Sequence, residues 1–223
     1  MMRYLASAAL AAGLALAAAP SQAVPVNWTD WTGASANQVT GSLLVGATSV
    51  TVEFNGAYQF AQTNGTGTNY WTEGSPAPYT GGDVDNAPAG TDIIGLNAGG
   101  TFTLDFGQAI LNPIIALVSW NNNVATFSGP IETVSEGAGF WGNGAFTNVQ
   151  PNGFTGTGEL HGIIRVLGSY TQITVTHNTE SWHGIQVGVE GLAPTPEVPV
   201  PLPLALLGTG VAALAFAGRR KRA

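Results

Sequence analysis

The chain contains no cysteine, which excludes disulfides, thiolate catalysis and Cys-ligated zinc or iron–sulfur centres. Lysine occurs once, as Lys221 near the C-terminus, and Arg165 is the only Lys or Arg between residues 24 and 193. Twelve Asp and Glu share that stretch with it. A body charged in this way repels phosphate backbones, so nucleic acid is not expected as a partner. Without lysine it also lacks Schiff-base chemistry and most phosphate cradles. There is no G-x-S-x-G elbow, no internal repeat, and no helical hydrophobic period of useful length between the two ends.

What the chain does have is glycine (31 of 223), proline (13), and a texture of Thr, Asn, Val and aromatic residues that favours strands and turns. Hydrophobic residues make up 44%, enough for one core. Val50, Val52 and Phe54 alternate with polar neighbours, as do Phe102, Leu104 and Phe106, then Ile173 and Val175, then Ile185, Val187 and Val189. This period of two predicts half-buried antiparallel strands. Residues 110–120 read as one long central strand, bent near Asn112-Pro113. Turns are expected at Asn55-Gly56, Asn64-Gly65, Gly81-Gly82, Gly99-Gly100 and the pair Gly156 and Gly158. The expected fold is all-β: a single antiparallel β-sandwich, jelly-roll-like, over residues 24–193. An N-terminal signal helix and a C-terminal hydrophobic helix would flank it.

The two ends carry a different pattern. Arg3 precedes an apolar run over residues 5–19, and Ser21-Gln22-Ala23 offers small residues for signal peptidase. Residues 1–23 read as a secretory signal peptide cut after Ala23. At the far end, VPVPLPLALLGTGVAALAFAGRRKRA closes the chain. Residues 204–217 carry no charge, and as a helix would span about 21 Å at about 1.5 Å per residue. That is short of a ~30 Å hydrocarbon core unless residues 198–203 and snorkelling arginines extend it. Arg219, Arg220, Lys221 and Arg222 form a basic stop that holds its side in the cytoplasm and leaves the body outside.

This order of parts resembles the PEP-CTERM family of sorting tails, and more closely its VPLPA-type variant. The matching residues are Pro196, Glu197, Val198 and Pro199, then Val200, Pro201, Leu202 and Pro203 in a linker over residues 194–203, then the span and basic stop over residues 204–223. The chain departs from the pattern at Val198-Pro199, where the simple form has one proline after Glu, and at Leu204, which precedes Ala205. The resemblance implies an exosortase as processing partner, transient residence in the inner membrane, and delivery to the cell surface or matrix of a Gram-negative bacterium that makes exopolysaccharide. The alternative is an uncut single-pass anchor. The stretches TFTLDFGQAILNPIIALVSW, ETVSEGAGFWGNG and SYTQITVTHNTESWHGIQVGV also resemble a β-rich body that recurs with such tails and implies no particular activity.

Candidate sites are few. Asp83, Asp85, Asn86 and Asp92 place four oxygen-bearing side chains in one loop, a set that suits calcium, with a solvated turn as the alternative. His177, Glu180 and His183, in an expected hairpin loop, could gather a metal or form an ordinary polar turn, and His161 reads as structural. Among six tryptophans, Trp71 and Trp141 follow Tyr70 and Phe140 in Gly/Asn-rich loops and are the candidate contacts for a glycan. Paired carboxylates such as Asp105 with Glu132 or Glu159 are the kind a hydrolase would use, and nothing further points to an enzyme. The expectation is an exported structural or adhesive protein without a cofactor. The alternative is a carbohydrate-binding module acting on exopolysaccharide.

Overall fold

The computed structural model describes residues 25–194. The expected signal peptide, sorting motif, hydrophobic span and basic stop lie outside the described residues, apart from Pro194 of the linker. Sixteen strands follow one another: β1 (Asn27–Trp28), β2 (Asp30–Ser35), β3 (Gln38–Val45), β4 (Thr48–Asn55), β5 (Phe60–Gln62), β6 (Ile93–Leu96), β7 (Gly100–Leu111) and β8 (Ile114–Trp120). Then come β9 (Val124–Phe127), β10 (Ile131–Gly137), β11 (Gly144–Gln150), β12 (Gly153–Gly158), β13 (Leu160–Val166), β14 (Ser169–His177), β15 (His183–Val189) and β16 (Gly191–Leu192). They form two antiparallel sheets. The seven-stranded sheet runs β10-β13-β8-β15-β6-β5, with β1 also on β15. The nine-stranded sheet runs β11-β12-β9-β14-β7-β4-β3-β2, with β16 also on β7. From β6 to β10 the chain changes sheet at every step, and it does so again from β12 to β15.

The period-two segments behave as their alternation predicts. In β4, Val50, Val52 and Phe54 are buried while Ser49, Thr51 and Glu53 face solvent. Phe102, Leu104 and Phe106 of β7 do the same, and the core between the sheets adds Trp31, Ile115, Leu117, Trp120, Ile173 and Val187. Each fully buried side chain of this size contributes about 1.5–3 kcal/mol.

Three expectations are corrected. Residues 110–120 are not one strand: Asn112, with φ 47°, and Pro113 form a corner, and the chain leaves β7 in one sheet for β8 in the other. Proline lacks the N–H a ladder needs, so the pair ends a strand rather than bending it. Gly156 is not a turn residue but lies inside β12, where an added Cβ would come 2.2 Å from the Trp120 carbonyl oxygen. Every residue of β15 is buried, not one face only. A second core on the outer side of its sheet, with Val26, Trp71, Tyr79, Ile93, Ala116 and Ile163, covers the other face.

That second core explains the long connection over residues 63–92. Asn86 accepts from Val26 N (2.7 Å) and donates to Val26 O (2.9 Å), pinning the N-terminal strand. Asp92 accepts from Trp31 N and from Gly65 N, each at 2.8 Å. Asp83 meets Arg165 at 2.8 Å. Arg165 is itself buried and also reaches Glu132 at 2.7 Å and Glu190 at 2.6 Å, so one guanidinium ties the loop, β10 and the end of β15 together.

Candidate functional site: an aromatic and acidic cleft

At one end of the sandwich four connections meet: β8 to β9, β10 to β11, β12 to β13, and β14 to β15. They enclose an open cleft of about 530 Å³. Its polar lining includes Ser119, Asn121, Asn122, Glu159 and Glu180, and two indoles, Trp141 and Trp182, form its aromatic side.

Local backbone chemistry places each group. Opposite the β8 end, Leu160 pairs with Trp120 but Gly162 pairs with Leu117, so β8 carries an extra residue and bulges. Ser119 lies in that bulge with φ 57°, a left-handed conformation unusual for serine. Bulges re-aim side chains. Here the Ser119 hydroxyl turns to Glu159 Oε2 and donates to it. Asn121 then spans both carboxylates: its Nδ2 donates to Glu159 Oε1 (3.3 Å) and its backbone N–H to Glu180 Oε1 (2.8 Å). Asn123 Nδ2 donates to Glu180 Oε2 at 3.1 Å.

Trp141 rides on a tight turn closed by Gly139 N to Gly142 O (2.8 Å). Beneath it, the turn rests on His161: an added Cβ at Gly139 would come 2.4 Å from the imidazole. Trp141 N lies 3.2 Å from His161 Nε2 and Ser119 N lies 3.1 Å from its Nδ1, and the neutral ring accepts at one of them while carrying its proton on the other. Both ring nitrogens face N–H donors, an arrangement that disfavours an imidazolium. Burial pushes the His161 pKa down to about 4 in spite of the Glu159 charge. This buried histidine supports both Trp141 and Ser119.

The aromatic side continues past the cleft. Trp141 lies edge-on to Phe140 (5.0 Å between centroids) and to Trp182 (6.4 Å). Tyr70 meets Phe140 and Trp182, each at 5.0 Å, and Phe60 stacks on Trp182 at 6.1 Å. Trp141 is 55% exposed and presents a free face. Trp71 does not, which corrects the expectation of an exposed loop indole. It is buried in the second core, edge-on to Tyr79 at 5.2 Å, with its Nε1 donating to Asp92 O at 3.1 Å.

The other candidates sort themselves by their partners. Asp83, Asn86 and Asp92 are spent on the separate anchoring contacts described above and Asp85 is exposed, so the four do not gather round a common point. His177, Glu180 and His183 do come together, not in a hairpin but where β14 in one sheet hands over to β15 in the other. They stand in a row: Glu180 Oε2 is 3.4 Å from His183 Nδ1, and His183 Nε2 is 3.0 Å from His177 Nδ1. Donor atoms that face one another do not converge on an ion, and among the described residues no set of three such groups is arranged to hold one. Asp105 lies in β7 of the nine-stranded sheet, held by Asn55 (3.0 Å) and Thr103 (2.8 Å), while Glu132 is on Arg165 in the other sheet. Neither is a partner for the other. The carboxylate that shares the cleft with Glu159 is Glu180.

Burial pushes the Glu180 pKa up to about 7, with the Glu159 charge adding to it and hydrogen bonds from Asn123 and Asn121 opposing. Burial pushes His183 down to about 3, helped by His177, and lowers His177 as well. Unfolding therefore releases three imidazoles that take up protons below about pH 6.5. Their contribution to stability is complete above that pH and is lost as the pH falls. Glu180, and Asp92 whose pKa burial also raises, act in the opposite sense, and Glu180's share is lost as the pH rises through about 7. Between about pH 4.5 and 6.5 the three imidazoles outnumber the two carboxylates. The unfolding free energy should rise over that range and level off above about pH 7. Urea unfolding followed from acid to neutral pH checks this, and Glu180→Gln, which removes the opposing carboxyl, should steepen the rise between about pH 5 and 7.

Comparison of the chain with protein-family models, with curated proteins and with solved structures finds no match. Function must be argued from the cleft itself.

Proposed function

We propose that this is an exported surface or matrix protein whose sandwich holds a glycan in the cleft beside Trp141, an adhesive rather than a catalytic role. The observation that carries this reading is the pairing of a free indole face with a row of Asn, Ser and Glu side chains in one open cleft. Indoles cover the apolar faces of sugar rings, and fixed amides and carboxylates take their hydroxyls. We also read the architecture as a jelly roll. The order β6-β15-β8-β13 against β7-β14-β9-β12, with the chain alternating between sheets, supports that topology. Isothermal titration of the full chain in detergent against neutral, amine-bearing and anionic oligosaccharides tests the glycan reading. Saturable binding to one class supports it, and silence on all of them overturns it.

The surface address rests on the PEP-CTERM-like tail, with an exosortase as processing partner. The protein recovered from its host should end between Pro196 and Pro203 when its C-terminal peptide is read by mass spectrometry. A chain still ending in Arg-Lys-Arg-Ala and recovered with membranes would make the tail a plain anchor.

A further inference from the structure

The electrostatics of the cleft narrow the ligand further. Its charged lining consists of Glu159 and Glu180. Among the described residues no Lys or Arg offsets them, because Arg165, alone of its kind there, is spent on Asp83, Glu132 and Glu190. Each carboxylate keeps acceptor capacity. Glu159 Oε1 takes one hydrogen bond from Asn121 and Oε2 one from Ser119. Glu180 Oε1 takes one from Asn121, and Oε2 one from Asn123 with His183 at its side. A carboxylate can accept about four. The exposed Trp141 indole lines the same cleft, edge-on to Trp182. Carboxylates and an indole face in one cleft are complementary to an ammonium group, through charge-assisted hydrogen bonds and cation–π attraction. A neutral sugar would satisfy the hydroxyl contacts but leave the Glu159 carboxylate uncompensated, and Glu180 with it once that group ionises above about pH 7. A uronate or sulfate would be repelled both there and by the twelve-carboxylate body.

We propose that the cleft is selective for amino sugars: a hexosamine unit carrying a free ammonium, seated with its ring on Trp141 and its nitrogen towards Glu159 and Glu180. This rests on the glycan reading above and adds the class of sugar.

The test is isothermal titration of the full chain in detergent with three oligosaccharides of one length, made of glucosamine, N-acetylglucosamine and glucuronic acid. The glucosamine oligomer should bind about tenfold or more tightly than its N-acetylated counterpart, which is about 1.4 kcal/mol. That ratio should shrink in about 0.5 M salt. It should also fall towards one in Glu159→Gln, and the glucuronic oligomer should not bind. Equal affinity for the amine and its acetylated form, or preference for the uronate, overturns the amine selectivity and leaves a glycan site standing. No binding to any of the three overturns both readings. A glucosamine preference untouched by Trp141→Ala would be diffuse attraction to the acidic surface and would overturn the assignment to this cleft.

Discussion

Replacing Arg165 with alanine is expected to cost about 3 kcal/mol of folding stability, the lower end of the range for stranding one side of a buried ion pair. The guanidinium side chain is 7% exposed and bonds three carboxylates, Asp83, Glu132 and Glu190, that are 37%, 51% and 21% exposed. Burial lowers its pKa, but the hydrogen bonds it donates to all three outweigh that and hold it above the usual arginine value. Without it, three like charges from three segments meet with nothing between them. The exposure of Asp83 and Glu132 lets water relieve part of that repulsion, which is why the lower end of the range applies. Arg165→Lys keeps the charge but replaces a planar fork with a point cation that cannot bridge three partners, and should recover only part of the loss. Denaturant unfolding of the two variants checks both statements. Tight retention of stability in Arg165→Ala would mean that the loop over residues 63–92 is held by its other anchors, Asn86 and Asp92, alone.

Trp141→Ala should behave in the opposite way, leaving the fold nearly intact and removing binding. More than half of this side chain is already in water, so its loss should change stability by less than about 1 kcal/mol. Its ring is the free aromatic face of the cleft, and aromatic anchors of this kind carry about 2 kcal/mol or more of binding energy. That is about thirtyfold or more in affinity. The check is one titration and one thermal melt on the same preparation. Weak binding with an unchanged melt is the expected pair of results, whereas a lowered melt would assign Trp141 to packing.

The sheet core was readable because burial of one face leaves a period of two. Val50, Val52 and Phe54 in β4 point inward at every second position, and nothing else in a sequence does that over so short a span. β15 was harder to read. Its second face is covered by Ile93 and Trp182 over Gly184 and by Val26 and Trp28 over Gly188, so its alternation predicted only half of its burial. Asn112-Pro113 was recognised as a break, but whether a break bends a strand or ends it depends on where the next strand finds a partner. Trp71 and Trp141 look alike locally, each after an aromatic residue in a glycine-rich stretch. Only the packing of residues 63–92 against the seven-stranded sheet separates the buried one from the exposed one.

The cleft was the least legible part. In the sequence Glu159 reads as a carboxylate to pair with Asp105, and Glu180 as a neighbour of two histidines. What brings them to one site is Asn121, bonded to both, and the bulge that turns Ser119 towards Glu159. A bulge of one residue leaves no period in a sequence, and serine at φ 57° has no composition signal. The run of Asn121, Asn122 and Asn123 after a buried tryptophan was the one available hint, since clustered asparagines mark a turn rich in side-chain hydrogen bonds.

The most direct measurement is a crystal structure of the protein soaked with the oligosaccharide that binds most tightly in solution. The expected result is a sugar ring on the open face of Trp141, with polar atoms within hydrogen-bond reach of Glu159 and Asn121. A ring bound elsewhere on the sandwich, or an empty cleft at a saturating concentration of that sugar, would contradict it.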